Sequence, residues 1–481
     1  LLRNVSIRLP LLIYGAKVDL TESIKMADFI TLVDEESWQE FMPKTVDKPL
    51  FRKLLKYYDE DVVSGAGLRI RRMAKAADEL PPTERVKRIA EIFSHFRNPD
   101  KETVLTPWRV VNLHLSNMVG GYCFLNEQFD PQEVLEEPRL VDQGQVTEDI
   151  FLNPEARILE MNSKSGLYPL YMAYSLYAMK LPGPEDKLPL EQTQALWQET
   201  VEQQIFVLCK TRMAESITRR TLVGYQDWTV NTTYIPHLLE RMEKDPQRLA
   251  KKLHRTDTWG KEGQPMKFDA IVGNPPYQLM GGSGGTNDAP IYQYFASLAE
   301  EVEPHYISLI IPSRWFSAGR KNLLGDFRTQ MLANRKIRKM YVYPSSQDIF
   351  PTVDIKGGLC YYLIDNGYDG DCEYTLAQNG KEKTTTRSLN DLDILVREPE
   401  LANIVKKVMS GTAETDTVST IVSNDTPFGI PTNPKTSGKN ATVVYEDSTP
   451  EHNVKLLYLD NMVRTIAYVS RESIKKNTGD I

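Results

Sequence analysis

Cysteine is scarce in this chain: four among 481 residues (Cys123, Cys209, Cys360 and Cys372), with no Cys-x-x-Cys pair. That excludes a disulfide framework and a thiolate metal site, and it makes a reducing cytoplasm the expected compartment. Long apolar runs are lacking too. Leu9-Pro10-Leu11-Leu12-Ile13-Tyr14-Gly15 falls far short of the roughly 20 residues of a membrane helix, contains a proline, and has no small-residue cleavage site after it; no membrane partner is expected. Nor is there an excess of positive charge: 58 Lys and Arg against 65 Asp and Glu leave a net charge of -7. Attraction to nucleic acid by bulk charge is excluded, so basic groups must act locally if they act at all. The glycine-rich Gly281–Thr286 is not followed by Gly-Lys-Ser/Thr. A nucleotide P-loop is therefore excluded, and a flap is the better reading. No convincing Pro-Asp…Glu-x-Lys constellation is present, so a nuclease centre is not expected here.

What is present is ordinary globular composition, 41% hydrophobic and 26% charged, on a length that suits two to four domains. One stretch organises the rest: Phe268-Asp269-Ala270-Ile271-Val272-Gly273-Asn274-Pro275-Pro276-Tyr277-Gln278. A short apolar run bounded by turn signals reads as a central strand of a parallel sheet. Two prolines then stop it, fix φ and remove two donors. The turn offers free carbonyls, the Asn274 amide and the Tyr277 ring. That set suits gripping an amino group on a flat base or amide.

This motif resembles the Asn-Pro-Pro-Tyr motif of the S-adenosylmethionine-dependent amino-methyltransferases. The resemblance implies that the Asn274 side-chain oxygen and the Pro275 carbonyl accept hydrogen bonds from the target NH₂. Pro276 holds the turn, and Tyr277 stacks on a base flipped out of the duplex. The other pieces fall in the family's order between about residues 100 and 365. Thr106-Pro107 opens a helix that the family turns toward the methionine part of the cofactor. Glu160, Asn162 and Gly166 follow in Glu160-Met161-Asn162-Ser163-Lys164-Ser165-Gly166, the place of the first cofactor motif. Lys164 stands where that motif has its first glycine. The next strand, Gln203 to Lys210, ends in Cys209 and Lys210, so no ribose acid can be named. Asp257 is the candidate adenine-contacting acid, and Phe350 is either the second aromatic on the flipped base or a core residue. Pro312-Ser313-Arg314-Trp315 ends a further strand. The basic residues around it (Arg314, Arg320, Lys321, Arg328, Arg335, Lys336, Arg338, Lys339) read either as phosphate contacts or as a solvated face.

The resemblance implies an α/β fold: a Rossmann-like methyltransferase sheet with a terminal antiparallel hairpin. A helical region precedes it and a mixed recognition region follows. Residues 1–100 read as a helical coupler after a first short strand, with helices opening at Ser37, spanning Pro49 to Tyr58 and Ala66 to Leu80, and restarting at Pro82. Residues 101–370 read as the catalytic domain. Residues 371–481 read as the start of a target-recognition region, in which Pro427–Thr432 resembles an opening segment. The expected function is site-specific adenine-N6 methylation of double-stranded DNA within a restriction-modification system. The chain is expected to be a fragment, with a helicase or nuclease part before it and further recognition sequence after it. Methylation of a protein glutamine amide is one alternative. A non-catalytic fold kept for DNA positioning or cofactor sensing is another.

Overall fold

The run Ala270–Gly273 is a fully buried strand at the middle of a nine-stranded sheet. The computed structural model describes residues 2–17, 25–43, 45–96, 105–278, 289–317, 324–351, 353–411, 430, 444–460 and 463–474. They form two compact units, 1–401 and 402–481.

In the first unit the sheet strands are β1 (Ile158–Ser163), β2 (Ile205–Cys209), β3 (Asn231–Tyr234), β4 (Ala270–Gly273), β5 (Tyr306–Pro312), β6 (Ile337–Tyr343), β7 (Leu359–Asp365), β8 (Cys372–Gln378) and β9 (Lys381–Arg387). Their spatial order is β9-β8-β6-β7-β5-β4-β1-β2-β3. Strands β1 to β5 run parallel, while β7 lies antiparallel between β5 and β6. This is the expected methyltransferase sheet with its antiparallel closing pair. The sheet also continues past residue 370, through β8 and β9.

Both faces of the sheet are covered, which is why its central strands are buried along their whole length and mostly apolar. Side chains nonetheless alternate between two cores. Ile158, Ala270, Val272, Tyr306 and Ile310 face one core; Leu159, Met161, Ile271, Ile307, Leu309 and Ile311 face the other. The first core is closed by helices α1 (Trp108–Met118), α2 (Leu167–Lys180), α3 (Leu190–Gln204) and α4 (Arg212–Val223). The second is closed mainly by Leu238–Lys244, Pro246–Leu253 and α5 (Tyr292–Glu301).

The chain starts in helices, Leu2–Ser6 and Leu9–Gly15, and not in the expected strand. Val5, Leu9, Leu12 and Ile13 are buried at helical spacing, and a short apolar run does not reveal its own period. Pro10 falls in the first turn, where its missing donor costs nothing. The next boundaries shift slightly. Asp34, not Ser37, caps Glu35–Phe41 by accepting from the Ser37 N–H at 2.9 Å. The predicted restart at Pro82 is present as Pro82–Ser94. These helices pack on α4: a Cβ on Gly15 would lie 2.5 Å from Ile217 Cγ1. Arg71, in the helix Glu60–Ala77, is 1% exposed. Arg85, also buried, faces Asp78 at 3.6 Å.

In the second unit, Val454–Asp460 and Val463–Val469 form an antiparallel pair. Gly281–Thr286 lies outside the described residues, as do Arg320, Lys321 and all of Pro427–Thr432 except Ile430.

Candidate functional site

The chain leaves β1 toward β2 and β3 on one side, then crosses back to β4 on the other. The β1/β4 boundary is therefore a topological switch point, where open α/β sheets form a crevice beyond the carboxyl ends of their strands. Glu160 pairs in register with Val272. This sets the end of β1 beside the Asn274–Tyr277 turn. The two strands approach closely: a Cβ on Gly273 would stand 2.9 Å from the Met161 carbonyl oxygen.

Thr106 reaches this turn from the segment before α1. It does not cap the helix; Pro107 holds the cap position, with no side-chain cap bond. The Thr106 Oγ1 instead accepts from the Asn274 Nδ2 at 2.9 Å. That bond uses the NH₂ end of the amide and orients the other end. Asn274 Oδ1 is buried and has no hydrogen-bond partner among the described residues. No hydrogen bond reaches the Pro275 carbonyl among them either. Tyr277 is tied back through its own carbonyl, which accepts from the Ile291 N–H at 3.2 Å. Its ring is partly buried, and its hydroxyl is buried without a partner. Burial raises that hydroxyl's pKa, with Asn274 beside it opposing the shift.

Across the crevice, Glu160 is 4% exposed and its Oε2 is also unpartnered. Burial pushes this carboxyl up to about 8, with Ser163 opposing. Asn162 adopts φ 65 and holds a buried, unpartnered Oδ1. Asn tolerates the left-handed region better than most residues, and such outliers gather at binding sites. Gly166, at φ 77, begins α2; a Cβ there would lie 2.9 Å from Thr221 Cβ and 3.0 Å from Thr218 Cα. The glycine is required by both the turn and its neighbours. Lys164 lies in the same turn, partly exposed.

Burying an acceptor without a donor costs about 1–3 kcal/mol. Three such oxygens, on Glu160, Asn162 and Asn274, belong to the adjacent ends of β1 and β4. This set of acceptors fits a ligand that brings hydrogen-bond donors and positive charge.

Two predicted site residues are placed elsewhere. Asp257 sits in the turn Thr256–Trp259, is mostly exposed, and pairs with Arg255. Its turn is anchored by Trp259 packing on Phe206 and Phe268, at the starts of β2 and β4. That is the sheet edge opposite the crevice, so Asp257 is corrected to a surface ion pair. Phe350 is 2% exposed within the first core, beside Ile349 and Val353. Its ring is a core side chain here. Its loop is tied to α1, where Arg109 donates to the Asp348 carbonyl at 3.3 Å.

Past β5, three of the basic residues pair with acids of the chain at or near its surface. Arg335 bonds Asp369, Arg338 bonds Asp365, and Lys339 faces Glu373. A basic surface that sequence reasoning passed over lies instead in a groove lined by Arg241, Lys244, Arg248, Lys251 and Lys252. His114 was missed as well. It is fully buried, with Nδ1 2.8 Å from the Tyr168 hydroxyl and Nε2 2.8 Å from Ser308 Oγ. Burial lowers it to about 3, so it is neutral at physiological pH. Tyr168 in turn lies within electrostatic reach of Tyr277 and Glu160. A lone histidine on an apolar helix carries no signal of this in the sequence.

The fold and the crevice define an α/β methyltransferase-type sheet with an Asn-Pro-Pro-Tyr turn at its switch point. Residues 203–350, which include that turn, match the family model described as the Eco57I restriction-modification methylase. A relative from Mycoplasma pneumoniae, described as an uncharacterized adenine-specific methylase, is 38% identical over 122 residues, 25% of this chain and 29% of that protein. The chain thus spans less than a third of the curated relative it matches. Among solved structures, a modification subunit of a putative type I restriction enzyme from Vibrio vulnificus is 12% identical, with a TM-score of 0.34, covering 79% of this chain and 65% of that one. A putative class I S-adenosylmethionine-dependent methyltransferase from Listeria monocytogenes is 9% identical, with a TM-score of 0.36, covering 84% and 97%.

Proposed function

We propose that this chain carries the catalytic region of a site-specific DNA adenine-N6 methyltransferase of a restriction-modification system. One observation carries the reading. The Asn274 amide is locked by Thr106 so that a buried, unpartnered oxygen points from a proline-fixed turn at the sheet's switch point. An exocyclic NH₂ is the donor that this arrangement lacks. The Asn274 Oδ1 and Pro275 carbonyl would take its two N–H bonds, drawing the nitrogen lone pair out of conjugation with the ring. The Tyr277 ring would hold the base by stacking, which is worth about 1–3 kcal/mol per base. The base must leave its duplex to reach this depth.

S-adenosylmethionine, when bound, supplies the methyl group as a cation. Glu160, Asn162 and the Gly166 turn are the residues that would hold it, and their orphaned acceptors suit its charge and its donors. Double-stranded DNA is the proposed partner and the cytoplasm the proposed compartment. The helicase or nuclease part and the recognition part of a longer polypeptide belong to the same proposal. So do a helical region to residue 100, a methyltransferase region from 101 through the end of the sheet at Arg387, and a recognition region after it.

The reading is tested with Asn274→Ala in the full polypeptide. Transfer of labelled methyl groups to adenine in DNA should fall at least a hundredfold while DNA binding in a mobility-shift assay is retained. Unchanged methylation would refute the site. A non-catalytic reading draws on one observation: β2 runs into Lys210 and offers no acid at its end.

A further inference from the structure

Strand β2 ends at Cys209, and the residues that follow it, Lys210 and Thr211, carry no carboxylate. In open α/β sheets that bind adenosine cofactors, an acid at the end of the second strand receives the ribose hydroxyls. The strand itself supplies none. The fold brings one to the same corner from 171 residues away. Glu40, on the helix Glu35–Phe41, accepts from the Thr211 hydroxyl through Oε2 at 2.5 Å.

That helix is fastened over the strand ends by its neighbours. The Ser37 hydroxyl accepts from the Met213 N–H at 3.0 Å. Glu36 takes a hydrogen bond from the Tyr234 hydroxyl, at the end of β3. The Glu40 carboxylate is therefore held at the carboxyl edge of the sheet, on the β2 side of the switch point. Glu40 and Glu160 also act on the same group, since both raise the pKa of the buried Cys209 thiol, behind burial and Glu215.

Glu40 is 2% exposed, yet its Oε1 has no partner among the described residues. A buried charged group is costly unless it is hydrogen-bonded. Helix capping does not account for it: Thr211 already caps α4 by accepting from the Ala214 N–H at 3.2 Å. The unused valence calls for a donor, and a vicinal diol presents two hydroxyl donors to a group that only accepts.

We propose that Glu40 is the ribose-binding acid of this crevice, delivered by the N-terminal helices to the corner where the strand lacks one. The assignment rests on the methyltransferase reading. It makes the first hundred residues part of the cofactor site.

The test is calorimetry on the whole chain with S-adenosylhomocysteine and with its 2′,3′-dideoxyribose analogue. Each ligand is titrated into wild type, Glu40→Gln and Glu40→Asp, with folding checked by circular dichroism. Wild type should prefer the natural ribose by about tenfold to a hundredfold, the worth of hydrogen bonds to a charged acceptor. Glu40→Gln should lose most of that preference while binding the analogue as wild type does. A structural role alone would weaken both ligands equally and keep the preference; that result overturns the assignment and leaves the cofactor reading standing. Equal binding of both ligands by wild type overturns it too, whether or not the variants fold. No binding of S-adenosylhomocysteine to wild type overturns the cofactor reading and the Glu40 assignment with it.

Discussion

Thr106→Val removes the hydroxyl that orients the Asn274 amide, at almost constant volume. In the wild type, the bond of 2.9 Å satisfies the amide NH₂ and leaves Oδ1 for the target amine. Without it, a part-buried NH₂ loses its acceptor, a penalty of about 1–3 kcal/mol. The amide then loses its preference for the productive orientation by a similar amount. If that preference is realised in the transition state, single-turnover methyl transfer should slow by about 5-fold to 150-fold. Affinity for S-adenosylhomocysteine should change by less than about twofold, because among the described residues the hydroxyl bonds the turn alone. Thr106→Ser restores the oxygen and should recover most of the rate. Two results would refute the reasoning: Thr106→Val at wild-type rate, or a rate loss matched by an equal loss of cofactor affinity. The first would mean the amide is held by the turn alone. The second would place Thr106 on the cofactor, as the sequence resemblance suggested.

The remaining predictions concern the crevice walls. Glu160 is raised by burial to about 8 from an ordinary 4.5. The folded state therefore prefers it protonated: the stabilisation is full below pH 4.5 and is lost as pH rises through 8. Glu160→Gln should flatten that part of the stability curve and make the protein relatively more stable at pH 9 than at pH 6, read by denaturant midpoints; an unchanged pH dependence would show that Glu160 is not the titrating group. Gly166→Ala forces a side chain into the left-handed region and against Thr218 and Thr221. A loss of at least about 1–2 kcal/mol is expected from the backbone alone, and an unaltered urea midpoint would contradict it. Tyr277→Phe keeps the ring and removes a hydroxyl that, among the described residues, makes no hydrogen bond within the geometric limits, so methylation should persist; Tyr277→Ala should lose about 5-fold to 150-fold in transfer. Equal effects of the two variants would shift the role from ring to hydroxyl.

Much of the site was legible because its constraints are local. The β4 strand and its stop are written in consecutive residues, a small apolar run followed by two prolines. The Gly166 turn is announced by a strand, a polar break and an apolar helix. Where the reading failed, the deciding partner was distant in the chain. Asp257 lies on the way to the central strand in sequence, yet Trp259 pins its turn to the opposite sheet edge. Phe350 is an aromatic in the expected loop, but core packing claims its ring. The basic residues past β5 left two readings open, and Arg335, Arg338 and Lys339 face acids 27 to 34 residues further on. The opening Leu-rich segment could be strand or helix, and its burial against α4 resolved it as helix.

The sequence alone determined the chemistry of the turn. Asn, two prolines and Tyr at the end of a buried strand restrict φ, remove donors and expose acceptors whatever surrounds them. Tertiary structure alone decided which way the Asn274 amide points, through Thr106 in a segment 168 residues earlier. It also decided that a carboxylate stands at the end of β2, through Glu40 in a helix that reads as a linker. Hydrogen-bond direction and buried charge depend on what lies within about 3 Å in space. Neighbours at that distance are set by how the helices pack, which the spacing of residues along the chain does not encode.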